Sequence, residues 1–575
     1  QLIIEKNLYG FEIDERASQL AGFALMMKAR SYHRRFFKRE VKPNILCFQD
    51  LKIPEEEIKP IFDDEGITIS DSLLHDLITM KQATNFGSLI QPRTDTYILK
   101  QTINSLQSKL DDSNIFLRPK IEKLIQSINH LTLLSRKYHC VVDNPPYMGE
   151  SKMNMILSIW LKDNYPKSRS DLMVCFMERA NYQVLDNGLV SMINLPSWMF
   201  LSSFEQYRKE IIKTFQIDSL IHLGRGIFGS DFGSVTFTLI KKIGKKADGI
   251  YRRLFENHVK VRSVDKIENL FLQKTYGLFQ INQEKFKSIP GSSIGYWLSD
   301  GLLKSFTSGL SIKEVAPPKQ GLATGNNDYF LRNWHEVEII EFSQKWIPIN
   351  KGGEFRKWYG NNQYVVNWEN NGETLKNYRD DNGKLRSRPQ NQAYYFKEGF
   401  TWSTISSGSA SFRYSPKSYL FETKGSTLFP KNKEDFYQVC GFLNSKVVNK
   451  LLLVLSPTLD YHEGPIGKLP FIPNNNAEEI VKECIEISKL EWNSRENSMD
   501  FQRNEIIHLN GNDLEESYDL FKQFWHNKFK QLHKNEEELN RQYVEIYGLK
   551  GELSSSVPLE EVTILKDETS IKNGK

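Results

Sequence analysis

The sequence predicts an α/β fold for its N-terminal part, then an α+β domain and a helical C-terminal region. Up to about residue 245, short apolar strand patterns alternate with helix patterns, which is typical of a parallel sheet covered by helices. Residues 246–475 mix short strand patterns with turns and many Trp, Tyr, Asn and Gly. Residues 476–548 return to charge-rich helical sequence, and 551–575 show no clear period, which indicates a flexible tail.

These patterns divide the chain into three expected domains, 1–245, 246–475 and 476–575, because 575 residues are too many for one core. The predicted strands of the first domain are 7–12, 44–48, 139–143, 188–194, 218–223 and 234–241. The predicted helices between them are 14–42, 171–186 and 204–215. Residues 52–138 are expected to form a helical insert, since LIQSINHLTLL places apolar residues at helical spacing.

Bulk composition narrows the class of protein. The net charge of +5 is compatible with nucleic-acid binding without demonstrating it. The 5 cysteines are scattered, which disfavours a disulfide scaffold and structural zinc and predicts a reducing, cytoplasmic location with no metal site. No apolar run approaches the roughly 18 residues of a membrane span. One segment, 28–42, is rich in Lys and Arg and can contact phosphate, although a solvated helix face explains it equally well.

The segment VVDNPPY at 141–147 is the main candidate site. A buried strand ends in a polar residue and two prolines, at the edge where open α/β sheets bind ligands. The two prolines, Pro145 and Pro146, stiffen the loop. The amide oxygen of Asn144 and the carbonyl oxygen of Pro145 can therefore both accept hydrogen bonds from one exocyclic amino group. Such acceptors stabilise positive charge that develops on the nitrogen, and Tyr147 can stack on a base. A simple strand-ending turn is the alternative.

Asn-Pro-Pro-Tyr resembles the catalytic motif of DNA methyltransferases that act on amino groups, usually adenine N6, with S-adenosylmethionine as cofactor. GFEIDERA at 10–17 resembles the family's ribose-binding motif, which implies that Glu12 accepts the cofactor ribose hydroxyls and Ile13 packs on the cofactor adenine. CFQD at 47–50 resembles the next motif, which implies that Asp50 accepts from the cofactor adenine. A capping role for Asp50 is the alternative.

IHLGRGIFGSDFGSVTFTLI at 221–240 resembles the family's segment that stacks on the target base. That resemblance assigns Phe228, with Phe232 in reserve, and core packing is the alternative. The same segment contains a G-x-G-x-x-G pattern. We reject a dinucleotide site there, because a strand pattern follows where such a site requires a helix.

The wider chain is similar to the adenine-specific methyltransferases of BREX phage-defence systems, relatives of type IIG restriction–modification enzymes. The insert at 52–138, QGLATGNNDYF at 320–330 and KLEWNSRENSMDF at 489–501 carry this likeness. It implies a Rossmann-like class I methyltransferase domain, site-specific adenine-N6 methylation of double-stranded DNA, and possible partners among other phage-defence proteins. The family's glycine-rich cofactor loop and the strand before it are absent. We therefore expect the first strand to be missing and an N-terminal portion to be needed.

Alternatives remain open: an inactive DNA-recognition subunit or fragment, a cytosine-N4 methyltransferase, and an RNA or protein-glutamine methyltransferase. An adenine N6 lies inside the duplex, so the base must be extruded to react. Residues 246–475 are expected to recognise the DNA target, although a solvated surface is the alternative for each side chain. The candidates are Asn326, Asn327, Lys351, Arg356, Lys357, Arg386 and Arg388, with Trp358 and Tyr359 packing on sugar or base.

Overall fold

The computed structural model describes residues 1–566 apart from 111–113, 230–232, 243, 245–246, 257–259, 343, 406–408, 457–459 and 510. The chain divides into two compact units. The first consists of Gln1–Glu256 and Arg262–Gln283, and the second is formed mainly by Glu284–Lys575. The first unit therefore extends past the boundary predicted at residue 245. The second unit contains both predicted C-terminal domains, whose division at residue 475 remains a prediction.

The first unit contains eight described strands in two sheets. They are β1 Tyr9–Glu12, β2 Asn44–Cys47, β3 Tyr138–Asp143, β4 Val184–Asn194, β5 Phe215–Arg225, β6 Gly233–Lys241, β7 Gly249–Arg253 and β8 Leu278–Ile281. Strands β1 and β2 pair in parallel as a separate sheet, and the other six follow the order β3-β4-β6-β5-β7-β8.

The six-stranded sheet is mixed, whereas the alternating pattern indicated parallel pairing. Strand β6 runs antiparallel to both β4 and β5, and β8 runs antiparallel to β7. The chain between β5 and β6 is too short for the crossover that a parallel pair requires, so the two strands form a hairpin. The pairs β3–β4 and β5–β7 are parallel, as the alternating pattern indicated.

The first helix of the first unit is shorter than predicted. The helix predicted over 14–42 ends at Tyr32, and the insert consists of five helices around a shared apolar core. The helices are α1 Glu15–Tyr32, α2 Glu55–Asp64, α3 Asp71–Thr79, α4 Ala83–Phe86, α5 Thr96–Lys109, α6 Arg118–Leu134, α7 Met155–Asn164, α8 Leu172–Gln183, α9 Glu205–Thr214 and α10 Val264–Leu272. The core of the insert reaches Phe48 and Leu51 after β2, so the insert supports the end of that strand.

The second unit combines short strands with helices. Its strands are β9 Leu310–Ser311, β10 Pro318–Lys319, β11 Leu331–Asn333, β12 Trp346–Asn350, β13 Tyr364–Asn367, β14 Gly399–Trp402, β15 Phe412–Ser415, β16 Leu420–Phe421, β17 Thr427–Leu428 and β18 Pro470–Phe471. Its helices are α11 Asp300–Ser308, α12 Ile312–Val315, α13 Asn327–Phe330, α14 Glu369–Lys376, α15 Phe436–Leu443, α16 Lys446–Leu455, α17 Glu463–Gly467, α18 Glu478–Asn493, α19 Glu505–His508 and α20 Leu514–Ile546. The described strands form two four-stranded sheets, β10-β17-β14-β15 and β11-β13-β12-β16, and one two-stranded sheet, β18-β9.

Membrane-spanning potential is limited to one bent pair of helices. No single helix in the described part of the chain is both long and apolar enough to cross a membrane. Helices α15 and α16, bent by 70° at their junction, pass that test together by length and composition alone.

Candidate active site

The loop Asn144–Tyr147 leaves the carboxyl end of β3 beside the end of β4. Asn144 is exposed, whereas Pro145 is buried. The Tyr147 hydroxyl lies 3.0 Å from the carbonyl oxygen of Ile193 in β4 and 3.3 Å from Asn144 Oδ1. Burial raises the pKa of Tyr147, which keeps the hydroxyl protonated as a donor. The loop is therefore tied to the neighbouring strand through its own aromatic residue.

The downstream side of the loop is also fixed by backbone contacts. The amide of Leu172 donates to Met148 O at 2.9 Å, and the amide of Glu150 donates to Ser170 O at 3.1 Å. Gly149 and Asp171 form an isolated antiparallel bridge. The loop is thus held by β4 and by the segment that opens α8, which favours one geometry for its acceptors.

Glu12 is the last residue of β1, and Ile13 directly follows it. Glu12 Oε1 accepts hydrogen bonds from the amides of Ile13 at 2.8 Å and Asp14 at 3.0 Å. Asp14 caps α1 by accepting from the Ala17 amide. The carboxylate of Glu12 is therefore oriented by the turn that it begins, and the Ile13 side chain is half exposed at the same turn.

Asp50 lies after β2, in a cleft of about 610 Å³ that Ile13 also lines. Strands β1 and β2 are parallel and end at the same edge, which brings these two residues together. Asp50 Oδ1 accepts from the amide of Thr84 at 2.8 Å and from its hydroxyl at 2.9 Å. The capping alternative thus describes a real contact, and Thr84, which sequence reasoning missed, positions the carboxylate.

A second cavity, of about 270 Å³, lies between β1 and β3. It is lined by residues of both strands, among them Gly10, Phe11, Cys140 and Asp143. Among the described residues, β1 pairs only with β2 and β3 pairs only with β4, so each strand has an open edge. Val142 of β3 is 79% exposed, although parallel strands are normally covered on both faces. No described strand pairs with the open edge of β1 or with the open edge of β3.

Asp143 directly precedes Asn144, and sequence reasoning overlooked it although the letters DNPPY display it. Burial, together with the nearby charge of Glu12, raises the pKa of the Asp143 carboxyl from 3.8 to about 6. A carboxyl group with a raised pKa thus lies at the end of β3, directly before the candidate catalytic loop.

The Asp143 shift predicts a pH dependence of stability. The folded protein binds a proton at Asp143 up to about pH 6, whereas the unfolded chain releases it near pH 3.8. The free energy of unfolding contributed by this group therefore falls as pH rises between these values and is flat above them. Urea titrations across pH should show this slope in the wild type and not in Asp143→Asn. Parallel pH profiles for the two proteins would contradict the assignment.

Phe228 lies in the turn between β5 and β6 and is 56% exposed, so core packing does not occupy its ring. Phe232, the reserve candidate, lies outside the described residues. Gly226 in this turn has φ 111°, and a Cβ there would lie 1.9 Å from Arg262 O, so only glycine fits. Strand β6 follows, not a helix, so this turn lacks the helix N-terminus that a dinucleotide site requires.

Some candidate DNA contacts of the second unit are exposed or partly exposed, and others are buried. Asn327 and Arg386 are exposed, as is Arg388, while Lys351 lies with its ammonium 4.2 Å from the ring centre of Tyr364. Asn326 caps α13 by accepting from the Tyr329 amide at 3.1 Å, so its amide oxygen already has a structural partner.

Arg356 and Lys357, predicted to contact DNA, are instead buried and paired with acids. Arg356 forms an ion pair with Glu491, and Lys357 Nζ lies 2.8 Å from Glu536 Oε2. Arg356 and Lys357 are each 6% exposed. Their acidic partners belong to α18 and α20, respectively. The neighbouring Trp358 and Tyr359, predicted to pack on sugar or base, are likewise buried.

The chain is similar to one methylase family and to two curated adenine-specific methyltransferases. Residues 6–228 match the Eco57I restriction-modification methylase family. The chain is 35% identical over 592 residues to the adenine-specific methyltransferase BrxX of Escherichia coli O9:H4 (strain HS), covering 97% of this chain and 48% of BrxX. It is 34% identical over 600 residues to the adenine-specific methyltransferase PglX of Lacticaseibacillus casei (strain Zhang), covering 98% of this chain and 49% of PglX. The chain spans about half the length of these curated relatives.

Among solved structures, the type IIL restriction-modification enzyme MmeI in complex with DNA matches with a TM-score of 0.51 and 13% identity. The match covers 96% of this chain and 64% of that enzyme, and it supports the fold alone. The resemblance inferred from the sequence motifs is confirmed. The described chain has a methyltransferase-like, mixed α/β fold of the restriction-modification enzymes.

Proposed function

Because this chain is a relative of the adenine-specific methyltransferases BrxX and PglX, we propose that it contributes to site-specific adenine-N6 methylation of DNA in phage defence or restriction–modification. The observation that carries the proposal is the loop Asn144–Tyr147, fixed at the carboxyl end of β3 by the contact of Tyr147 with Ile193. Exposed Asn144 offers an amide oxygen at a place where the backbone cannot shift freely.

In this proposal, adenine leaves the duplex and its amino group donates to Asn144 Oδ1 and to the carbonyl oxygen of Pro145. Two acceptors orient the nitrogen lone pair and stabilise the positive charge that grows as the new N–C bond forms. Tyr147 and the exposed ring of Phe228 stack on the extruded base and offset its lost stacking in DNA. S-adenosylmethionine, when bound, supplies the electrophilic methyl group.

The cleft beyond β1 and β2 fits the adenosine part of this cofactor. It offers an apolar face in Ile13 and a carboxylate in Asp50, within about 610 Å³. Asp50 accepts from the amide of Thr84, which fixes its orientation toward a second donor. Glu12 uses one oxygen to order the adjoining turn, and we assign its other oxygen to the ribose hydroxyls.

We further propose that the cofactor site is completed by a strand from another segment of the protein, inserted between β1 and β3. The open edges of both strands, the cavity of about 270 Å³ that they line and the exposed Val142 support this proposal. The greater length of BrxX and PglX provides the chain for it. This chain alone is then the part that holds the target base and half of the cofactor.

Product analysis tests the reaction class. The full-length protein, incubated with DNA and labelled S-adenosylmethionine, should yield N6-methyladenine when the digested nucleosides are examined by mass spectrometry. N4-methylcytosine as the sole product would replace the proposed target, because the same acceptors suit that amino group. Label recovered in the protein and not in the DNA would overturn the proposal, as would transfer to RNA alone when DNA and RNA are supplied together.

Cofactor titration tests the division of the site. Calorimetry should show S-adenosylmethionine binding to the full-length protein and at least about tenfold weaker binding to this chain alone, a loss of about 1.4 kcal/mol. Equal affinity for the two proteins would contradict the need for an inserted strand, while leaving the methylation proposal intact.

For DNA recognition, we propose the second unit, with exposed Asn327, Arg386 and Arg388 and the cation of Lys351 as contacts to bases or phosphates. Their side chains suit base edges and phosphate oxygens. The proposed macromolecular partner is double-stranded DNA, together with other phage-defence proteins.

A further inference from the structure

Residues 28–42 (KARSYHRRFFKREVK), called the basic segment below, concentrate the positive charge of the chain. The segment contains seven lysines and arginines and one acid, Glu40, a net charge of +6. Because the whole chain carries +5, all other residues together carry −1. The net positive charge of the chain is therefore accounted for by this segment.

The cations of the basic segment are available to a partner. Six are exposed and Arg30 is half-buried. No ion pair joins any of them to an acid within the described ranges. Two aromatic rings lie among them, Tyr32 at 82% and Phe37 at 55% exposure. Exposed cations interleaved with exposed rings are an arrangement suited to nucleic acid.

The basic segment is also ordered by its own core. Phe36 and Val41 are buried with Ile4, and Met26 and Ala29 of α1 pack against them. The segment is therefore folded back on the start of the chain and presents its cations from a fixed backbone. Such preorganisation reduces the entropy lost on binding.

Helix electrostatics do not account for this charge. Cations near the end of α1 are favoured by the helix dipole, which explains Arg30 in the last turn. The helix ends at Tyr32, however, so Arg34 and the cations after it lie beyond the last turn. The segment is also separate from the cofactor cleft, since Lys28 lies 13 residues after Glu15, about 20 Å along the helix axis.

We propose that the basic segment binds the phosphate backbone of double-stranded DNA without regard to base sequence. The inference rests on the proposed function in that DNA is the substrate, but it adds an anchor remote from the target base. Four of the seven cations are arginines, whose planar guanidinium groups bind phosphate oxygens in pairs. A contact made only to phosphate adds affinity and salt dependence, and leaves sequence choice to other residues.

The test compares two charge-matched variants of the full chain. The first is Arg34→Gln/Arg35→Gln/Lys38→Gln/Arg39→Gln. The control, Lys59→Gln/Lys100→Gln/Lys266→Gln/Lys274→Gln, removes four exposed lysines elsewhere in the same unit. Fluorescence anisotropy with a short labelled duplex that lacks a methylation site gives the affinity of each protein across a range of salt concentrations. No methyl transfer is measured, so failure of this proposal is distinguishable from failure of the proposed reaction.

The first variant should bind the duplex at least about tenfold more weakly, with a slope of log affinity against log salt reduced by about 3 to 4, since each phosphate contact contributes about 0.9. The control should retain the wild-type slope. Equal slopes for the two variants would overturn the proposal. It would also be overturned if the wild type bound anionic lipid vesicles and the first variant bound the duplex as tightly as the wild type. Should the quadruple variant misfold, Arg34→Gln/Arg35→Gln tests the same point with a slope change of about 2.

Discussion

Replacing Asn144 with alanine is expected to lower kcat for DNA methylation by about 100- to 1,000-fold, the usual cost of removing one preorganised contact to developing charge. The variant loses the amide oxygen that orients the attacking nitrogen, while the loop keeps the Tyr147 contact to Ile193. Labelled methyl transfer by the full-length protein under single-turnover conditions measures the loss. DNA affinity should remain near that of the wild type.

Two controls separate chemistry from folding. Asn144 is exposed, so its replacement should leave the midpoint of thermal unfolding unchanged. Tyr147→Phe keeps the stacking ring and removes the hydroxyl that reaches Ile193, so its loss of activity should be smaller. Wild-type kcat in Asn144→Ala would refute the catalytic assignment.

Replacing Glu536 with alanine is expected to destabilise the second unit by about 3–5 kcal/mol, because removing one partner leaves a buried charge uncompensated. Glu536 Oε2 accepts from Lys357 Nζ at 2.8 Å, and Oε1 accepts from Trp358 Nε1 at 2.7 Å. The acid and the lysine are both almost fully buried. Chemical denaturation of the chain, followed by tryptophan fluorescence, measures the change.

The matched control replaces both charged partners. Lys357→Met/Glu536→Gln removes the ion pair without stranding an ammonium group and keeps an amide oxygen for Trp358 Nε1, so it should recover most of the lost stability. The DNA affinity of that double variant should equal that of the wild type, because Lys357 is buried and paired with Glu536. A double variant as unstable as Glu536→Ala would show that the pair stabilises the fold beyond neutralising itself.

The loop and the strands near it were predictable because their signals are local. An apolar strand followed by Asn-Pro-Pro-Tyr is visible within seven letters, and the described structure places that loop at the end of β3. The approximate positions of β4, β5 and β6 followed from short apolar runs. Their mixed orientation did not follow, because a pattern of strands and helices does not state that two strands close a hairpin.

Contacts distant in sequence were beyond prediction. The residues next to Arg356 do not indicate that Glu491 neutralises it. Glu491 lies in a helix more than a hundred residues later in the chain. The same holds for Asp50 and Thr84, which are 34 residues apart because Thr84 lies within the helical insert. Charged letters in a loop are therefore weak evidence for a DNA contact, since burial decides whether they face solvent or an acid.

The open edges of β1 and β3 have a practical consequence for recombinant work. An unpaired, apolar strand edge is a template for pairing with the same edge of a second molecule. This chain, produced alone, should therefore tend toward self-association that rises with concentration, as size-exclusion chromatography would reveal. Co-expression with the segment proposed to insert between β1 and β3 should reduce this self-association, because the edges are covered before two copies meet.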